Sequence, residues 1–410
     1  MDIKALSKQY ESYIIEQRRW FHRHPELSEH EVETTNHIVA ELESMGLAVH
    51  RFEGVEGCYA ELTGGKAAPD HKVLVLRSDI DALPVLEKTG LPFASENVGC
   101  MHACGHDTHM SMLLGAAKIL TAVQDELQGT VRFLFQPSEE LAKGAVAVIK
   151  QGILDGADAI YGHHISDMCD AGSMNIQMGP RMASSARLNI EVEGVSCHGS
   201  TPSAGVDAIV AAAAIIMNLQ TIVSRNINPV HPSTVTIGTI EGGQRFNIIA
   251  NKVVMDGTVR AHSEADSYKL EERIHAVAEK TAEAHGARAK VTFTPQIGAV
   301  INKSEAFVNI GRNAVVEMLG AEHLQDREKL MISEDFVYYL DRIPGAFGFV
   351  GSLDEAHTET NHNDRYDSDE SVLAKGAAVT AKLAADYLAS DLPKLDPPYH
   401  YTEGEEFKKR

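Results

Sequence analysis

Basic side chains are scarce in this chain: 37 Lys and Arg stand against 58 Asp and Glu, a formal charge of −21 over 410 residues. That field repels the phosphate backbone of nucleic acids and the anionic face of a membrane, and so excludes both as partners. An anionic substrate would need a local positive site or a metal to offset it. Cysteine is sparse too. Cys58, Cys100, Cys104, Cys169 and Cys197 are odd in number and too few to staple a fold of this length, so a reducing compartment is expected. The longest apolar run, Ala208–Met217, falls short of the roughly 20 residues that cross a bilayer. The opening MDIKALSKQYESYIIEQRRW has neither an apolar core nor a small-residue cleavage site, and the expectation is a cytoplasmic protein. Internal repeats and compositional bias are also missing: 44% hydrophobic and 23% charged residues are those of an ordinary globular chain.

What is present is length beyond one core, since single hydrophobic cores stop growing near ~250–300 residues. Ser28 and Glu31 match an S-x-x-E capping box, and Val32, Ile38, Val39, Leu42 and Met45 carry a helix from there to Gly46. Apolar runs at Val73–Leu76, Val131–Phe135 and Ala159–Tyr161 alternate with helical patterns around 109–120 and 144–151. Continuous apolar strands separated by helices predict an α/β fold, a mostly parallel sheet with helices on both faces. Near Ser185 the texture changes to one-sided alternation. The order over 185–296 becomes β-α-β-β-α-β, a ferredoxin-like α+β domain inserted into a discontinuous larger one, 1–184 with 297–410. The tail from Asp391, rich in Pro and charge, is expected to be loose.

In open α/β sheets ligands bind beyond the carboxyl ends of the strands. Here those ends run into Arg77-Ser-Asp79-Ile-Asp81, Gln136-Pro-Ser-Glu139-Glu140, Gly162-His163-His164 and, after a loop, Asn361-His362-Asn363-Asp364. A further loop, Met101-His102-Ala-Cys104-Gly-His106-Asp107, precedes a helix. One such residue alone is an ordinary solvated side chain. Five segments bringing thiol, imidazole and carboxylate to one sheet edge form the donor set of a borderline divalent metal. In the adjacent pair Glu139-Glu140, one carboxylate can bind metal while its neighbour acts as general base. A rival reading makes Cys104 the nucleophile of a thiol amidase, with His106 or His102 as base. It leaves Glu140, His164 and His362 without a task.

The segments HRHPELS (22–28), RSDIDALP (77–84), MHACGHDTHMSMLLGAA (101–117), FQPSEE (135–140), HGSTP (198–202), FNIIAN (246–251) and SEDF (333–336) resemble the aminoacylase/carboxypeptidase family of two-metal peptidases. The match is to its N-acyl-amino-acid amidohydrolase branch, which includes hippurate and indole-acetyl-amino-acid hydrolases, and it spans about residue 15 to residue 390. The resemblance implies two divalent metal ions per subunit, Zn or Mn first, with Co or Ni also compatible. It implies Cys104, His106, Glu140, His164 and His362 as ligands, with Cys104 where relatives outside the branch use a bridging Asp. Glu139 matches the general base, Asp81 an Asp behind the site that orients a ligand, and His198 a residue that stabilises the oxyanion, often from the partner subunit. Asn247 and Arg260 match positions near the substrate carboxylate.

Some positions depart from the family pattern. His163-His164 replaces an apolar-His pair, and Ile165, matching the apolar residue that follows the ligand, favours His164. Leu141-Ala-Lys143 stands in place of a Gly-rich stretch, Ser203 in place of a His, and Ala250-Asn251 in place of Pro-Asp. The implied reaction is cleavage of an N-acyl amino acid to a carboxylic acid and a free amino acid, by a homodimer joined through the inserted domain. The alternative within the family is a dipeptidase or carboxypeptidase acting on short peptides.

Overall fold

The computed structural model describes residues 1–68 and 70–393. Most of the charged tail expected to be loose lies outside the described residues. In chain order the elements are α1 (Ile3–Gln9), α2 (Glu11–Arg23), α3 (Val32–Ser44), β1 (Val49–Arg51), β2 (Cys58–Thr63), β3 (Val73–Asp79), α4 (His106–Ala122), β4 (Thr130–Gln136), α5 (Gly144–Lys150), β5 (Ala159–Asp170), β6 (Met174–Asn175) and β7 (Gly179–Met182). There follow β8 (Ser184–Glu193), α6 (Ala208–Arg225), β9 (Ser233–Gly242), β10 (Lys252–Ala261), α7 (Glu264–Ala284), β11 (Arg288–Ile297), β12 (Val300–Asn302), α8 (Glu305–Leu319), α9 (Val337–Leu340), β13 (Gly345–Leu353) and α10 (Leu373–Ala389).

By internal packing the chain divides into two units, one of Met1–Gly179, Ile301–Glu328 and Asp335 onward, the other of Pro180–Val300 with Lys329–Glu334. The first holds a seven-stranded sheet in the order β1-β2-β4-β3-β5-β13-β6. Its four central strands β4, β3, β5 and β13 are parallel and its edges antiparallel. The sheet is thus mostly parallel, as the unbroken apolar runs predict. Leu74 and Leu76 join the main core with Leu113, Leu114 and Ile119 of α4 and Ala377 and Val379 of α10. The intervening Val75 and Arg77 alternate onto the opposite face.

Two local readings change. The capping box does not form: α3 has Glu31 at its N-cap with no side-chain cap bond. Instead the Glu26 carboxylate accepts the N–H groups of Glu33 and Thr34 at 3.2 and 2.8 Å, while Ser28 and Glu31 turn inward toward Asp81 and Ser138. The strands also run further than their apolar cores, so Arg77-Ser-Asp79 lies within β3 and His163-His164 within β5. Hydrogen-bonded pairing continues past the last apolar residue, where hydropathy gives no signal.

The second unit is a four-stranded antiparallel sheet in the order β11-β8-β10-β9. Along β8, Ala186, Leu188, Ile190 and Val192 are buried against α6 and α7, while Arg187 and Glu191 pair with Asp256 and Lys252 on the other face. Within this unit the helices therefore cover one face of the sheet, as the alternating pattern predicts. Helix α6 is apolar and long enough to cross a membrane by length and composition alone. Its Ala211, Ala212, Ile215, Leu219 and Ile222 are fully buried in this small core, the place of an ordinary core helix.

Candidate metal centre

The centre is built from the loop entering α4, the turn after β4, strand β5 and the loop after β13. Gly105, at φ +88, is the N-cap of α4, and a Cβ there would clash with Ile165 Cγ2 and come within 3.0 Å of the Tyr366 hydroxyl. Only glycine lets Cys104 and His106 sit on either side of this turn. His362 itself takes φ +68, with its N–H bonded to the Ala103 carbonyl at 2.7 Å. Ser138 and Ala142, flanking the two glutamates, are also left-handed. Such conformations cost of order 1–3 kcal/mol each and cluster at functional sites. Ala142 occupies the stretch where the family resemblance expects glycine.

Cys104 Sγ lies 3.3 Å from His164 Nε2 and 3.3 Å from His362 Nε2, and His362 Nε2 lies 3.5 Å from Glu140 Oε1. Among the sets of donor atoms that fall within 4.8 Å of one another are Cys104, His106 and His164; Cys104, Glu140 and His362; and His106, Glu139 and Glu140. The first two share Cys104, whose sulfur would be a donor common to both. His163 belongs to none of these sets, and both its ring nitrogens are buried without a hydrogen-bond partner.

The imidazoles are oriented by their second nitrogens. His106 Nδ1 donates to the Asp81 carbonyl at 2.8 Å and His164 Nδ1 to the Ile165 carbonyl, so Nε2 of each is the nitrogen that would present a lone pair to a cation once deprotonated. His106 Nε2 and Glu140 Oε1 are buried with no hydrogen-bond partner, and Asp79 Oδ2 is 3.7 Å from that nitrogen, too far for a hydrogen bond. The Asp81 carbonyl is 2.8 Å and its Oδ1 3.3 Å from His106 Nδ1, and its Oδ2 accepts the Ser28 hydroxyl at 2.6 Å and the Glu140 N–H at 3.1 Å.

Electrostatics agree with a missing positive charge. Burial, and then the carboxylates of Glu140, Glu139 and Asp79, push the Cys104 thiol well above its usual range. Burial and Asp81 raise Glu140 to about 7 against the pull of His106. Burial opposes charge on His106, but Asp79 and Asp81 outweigh it and lift its pKa to about 10. A divalent cation among these atoms reverses all three trends and satisfies both orphaned donors, so the residues fit the metal. The same facts count against Cys104 as a nucleophile, which needs a lowered thiol pKa.

Sequence reasoning missed His109. Its Nδ1 donates to Asp79 Oδ1 at 2.6 Å and its Nε2 accepts the Ile165 N–H at 2.7 Å, with burial pushing its pKa down to about 3. Its spacing of three from His106 on one helix face was the available signal.

The remaining candidates lie in the second unit. His198 is exposed, and its Nδ1 lies 2.6 Å from the Ser200 hydroxyl and 3.2 Å from the Ser200 main-chain nitrogen. Asn247 accepts the Gly199 N–H through its carbonyl at 2.8 Å, and its buried Oδ1 has no partner. Residues beside it, with Asp207, Arg245 and Phe246, line an open cavity of about 580 Å³. Arg260, on β10, donates to the Ser333 hydroxyl at 3.0 Å.

Comparison with known proteins agrees with this geometry. A model of Peptidase family M20/M25/M40 matches residues 75–386. The chain is 39% identical over 377 residues to N-acetyl-L-cysteine deacetylase of Bacillus subtilis, covering 92% of this chain and 88% of that one. It is 36% identical over 400 residues to IAA-amino acid hydrolase ILR1-like 5 of Arabidopsis thaliana, covering 96% and 91%. A Bacillus subtilis crystal structure described as a dinuclear metal binding peptidase of the M20 family superposes with a TM-score of 0.82 at 35% identity, covering 93% of this chain and 99% of that one.

Proposed function

The chain belongs to peptidase family M20/M25/M40 and is a hydrolase of amide bonds; from that premise we propose that it releases free amino acids from N-acyl amino acids. The observation that carries the reading is the convergence of Cys104, His106, Glu140, His164 and His362, two of them with buried unpartnered donor atoms, beside a second carboxylate, Glu139. These five residues would hold two divalent metal ions, Zn or Mn by the mixture of thiolate, imidazole and carboxylate donors. The chemistry such ions supply is Lewis acidity toward the amide carbonyl and a lowered pKa for water.

The chain's own residues do the rest. Glu139 takes a proton from the attacking water and delivers it to the leaving amine. The Nε2–H of His198 donates to the developing oxyanion, and Asn247 and Arg260 serve the substrate carboxylate. Relatives named for an N-acetyl amino acid and for indole-acetyl-amino acids support the substrate class.

The test is a hydrolysis screen of acetyl, benzoyl, fatty-acyl and dipeptide substrates with metal-reconstituted enzyme. The highest kcat/KM is expected on an N-acyl amino acid, and a preference for dipeptides would shift the assignment to a dipeptidase.

We also assign the inserted unit to homodimerisation. Ile209, Val210 and Met217 of α6 and Ile240 of β9 are 46 to 69% exposed, an apolar surface that a second copy would cover. In such a dimer His198 serves the neighbour's metal centre. Mixing an inactive His198→Ala chain with an inactive Glu139→Gln chain should then regain part of the activity, because one site in each mixed dimer has both groups intact. No recovery after verified subunit exchange would overturn the shared site.

A further inference from the structure

Behind the metal centre, on the face of β3 opposite the main core, lies a buried ion network that the reaction scheme does not use. Arg77 is 3% exposed, and Asp79 and Asp335 are fully buried. The guanidinium donates three ways: Nε to Gln136 Oε1 at 2.8 Å, Nη1 to Asp79 Oδ2 at 2.7 Å, and Nη2 to Asp335 Oδ1 at 3.0 Å. Each carboxylate is tied to the catalytic apparatus by hydrogen bonds relayed through the covalent frame of one residue, Ile165 on one side and Asp335 itself on the other.

From Asp79 the run passes to His109 Nδ1, from His109 Nε2 to the Ile165 N–H, and from the Ile165 carbonyl to His164 Nδ1. On the other side the Asp335 carboxylate is clamped by Gln136 Nε2 at 2.9 and 3.0 Å and by the Ala145 N–H at 3.0 Å, and the Asp335 N–H donates to Glu139 Oε1 at 3.3 Å. The Tyr339 hydroxyl, at 2.8 Å from Gln136 Oε1, fixes the amide between the two.

A buried arginine between two carboxylates is poor economy if stability alone is at stake, because an apolar replacement of the same volume is often neutral or better. Its planar fork does something an apolar side chain cannot, which is to hold two carboxylates at a fixed separation and angle. We propose that Arg77 is a positioning residue that sets the base Glu139 in register with the ligand His164, through Asp335 on one side and Asp79 and His109 on the other. The inference rests on the assignment of Glu139 as base.

A double-mutant cycle tests it in the full-length, metal-loaded enzyme. Arg77→Lys keeps the charge but cannot meet Gln136, Asp79 and Asp335 together. Misplacement of a catalytic group by about 1 Å can cost ~10²-fold. A fall of roughly 10- to 100-fold in kcat is therefore expected, with KM within about threefold and metal stoichiometry unchanged. The same substitution placed on Glu139→Gln should cost little further, because residues that act as a unit are strongly non-additive.

Asp335→Asn, which preserves side-chain volume, is run in the same cycle and should give the same pattern if Arg77→Lys fails to fold. An equal fold-loss in both backgrounds, an unchanged kcat, or a loss that follows KM or metal content would overturn the proposal. Full turnover by Glu139→Gln alone would refute the base assignment and the Arg77 role with it, an outcome distinct from additive losses on an impaired Glu139→Gln.

Discussion

Replacing Glu139 by Gln is expected to lower turnover on the order of 10²- to 10⁴-fold while bound metal stays near the wild-type amount, because the amide keeps the shape and removes only the proton acceptor. Glu140→Gln is expected to lower metal content as well, since it alters a donor whose Oε1 is buried, unpartnered and 3.5 Å from His362 Nε2. The two residues are adjacent in sequence and differ in surroundings. The Glu140 N–H is held by the Asp81 carboxylate, whereas Glu139 accepts the main-chain N–H of Asp335. Activity assays paired with metal analysis of both variants separate the roles. If both retain metal and Glu139→Gln keeps full activity, the division of labour is wrong.

Removal of the metal should have the larger effect. Chelation with EDTA is expected to abolish hydrolysis and added Zn²⁺ or Mn²⁺ to restore it, while iodoacetamide applied to the loaded enzyme should do little because Cys104 is then a buried ligand. Reloading should also depend on pH. The Cys104 thiol and the His106 imidazolium are both held protonated above their ordinary ranges in the metal-free cluster, His106 up to about 10. Each must lose its proton to bind, so apparent affinity should rise with pH across the neutral range and fall on acidification. Isothermal titration of the metal-free protein at several pH values measures this directly. Full activity in metal-free protein would restore the thiol mechanism.

Arg77 and Asp335 are 258 positions apart and Ser28 and Asp81 are 53 apart, and neither pairing leaves a periodic trace in the chain. The same holds for Glu26, which caps α3 from outside the helix while the residues with capping-box spacing bond elsewhere. A local motif states only which bonds a side chain is able to make. Here the Asp81 carboxylate accepts the Ser28 hydroxyl and the Ser138 N–H donates to the Glu31 carboxylate, and these inward partners win over the helix end.

By itself the sequence determined the two kinds of sheet and the donor inventory. Continuous apolar strands specify burial on both faces, one-sided alternation specifies a sheet covered on one face, and thiol, imidazole and carboxylate at strand ends specify a metal's chemistry, because periodicity and residue type are local properties of the chain. Only the tertiary structure decided that His164 Nε2 sits 3.3 Å from Cys104, that the Asp81 carbonyl accepts the His106 Nδ1 proton at 2.8 Å, and that one guanidinium spans Asp79 and Asp335. Those outcomes depend on ångström-scale distances between segments remote in sequence. They are fixed only when the whole sheet is assembled and each buried polar atom has found, or lacks, a partner.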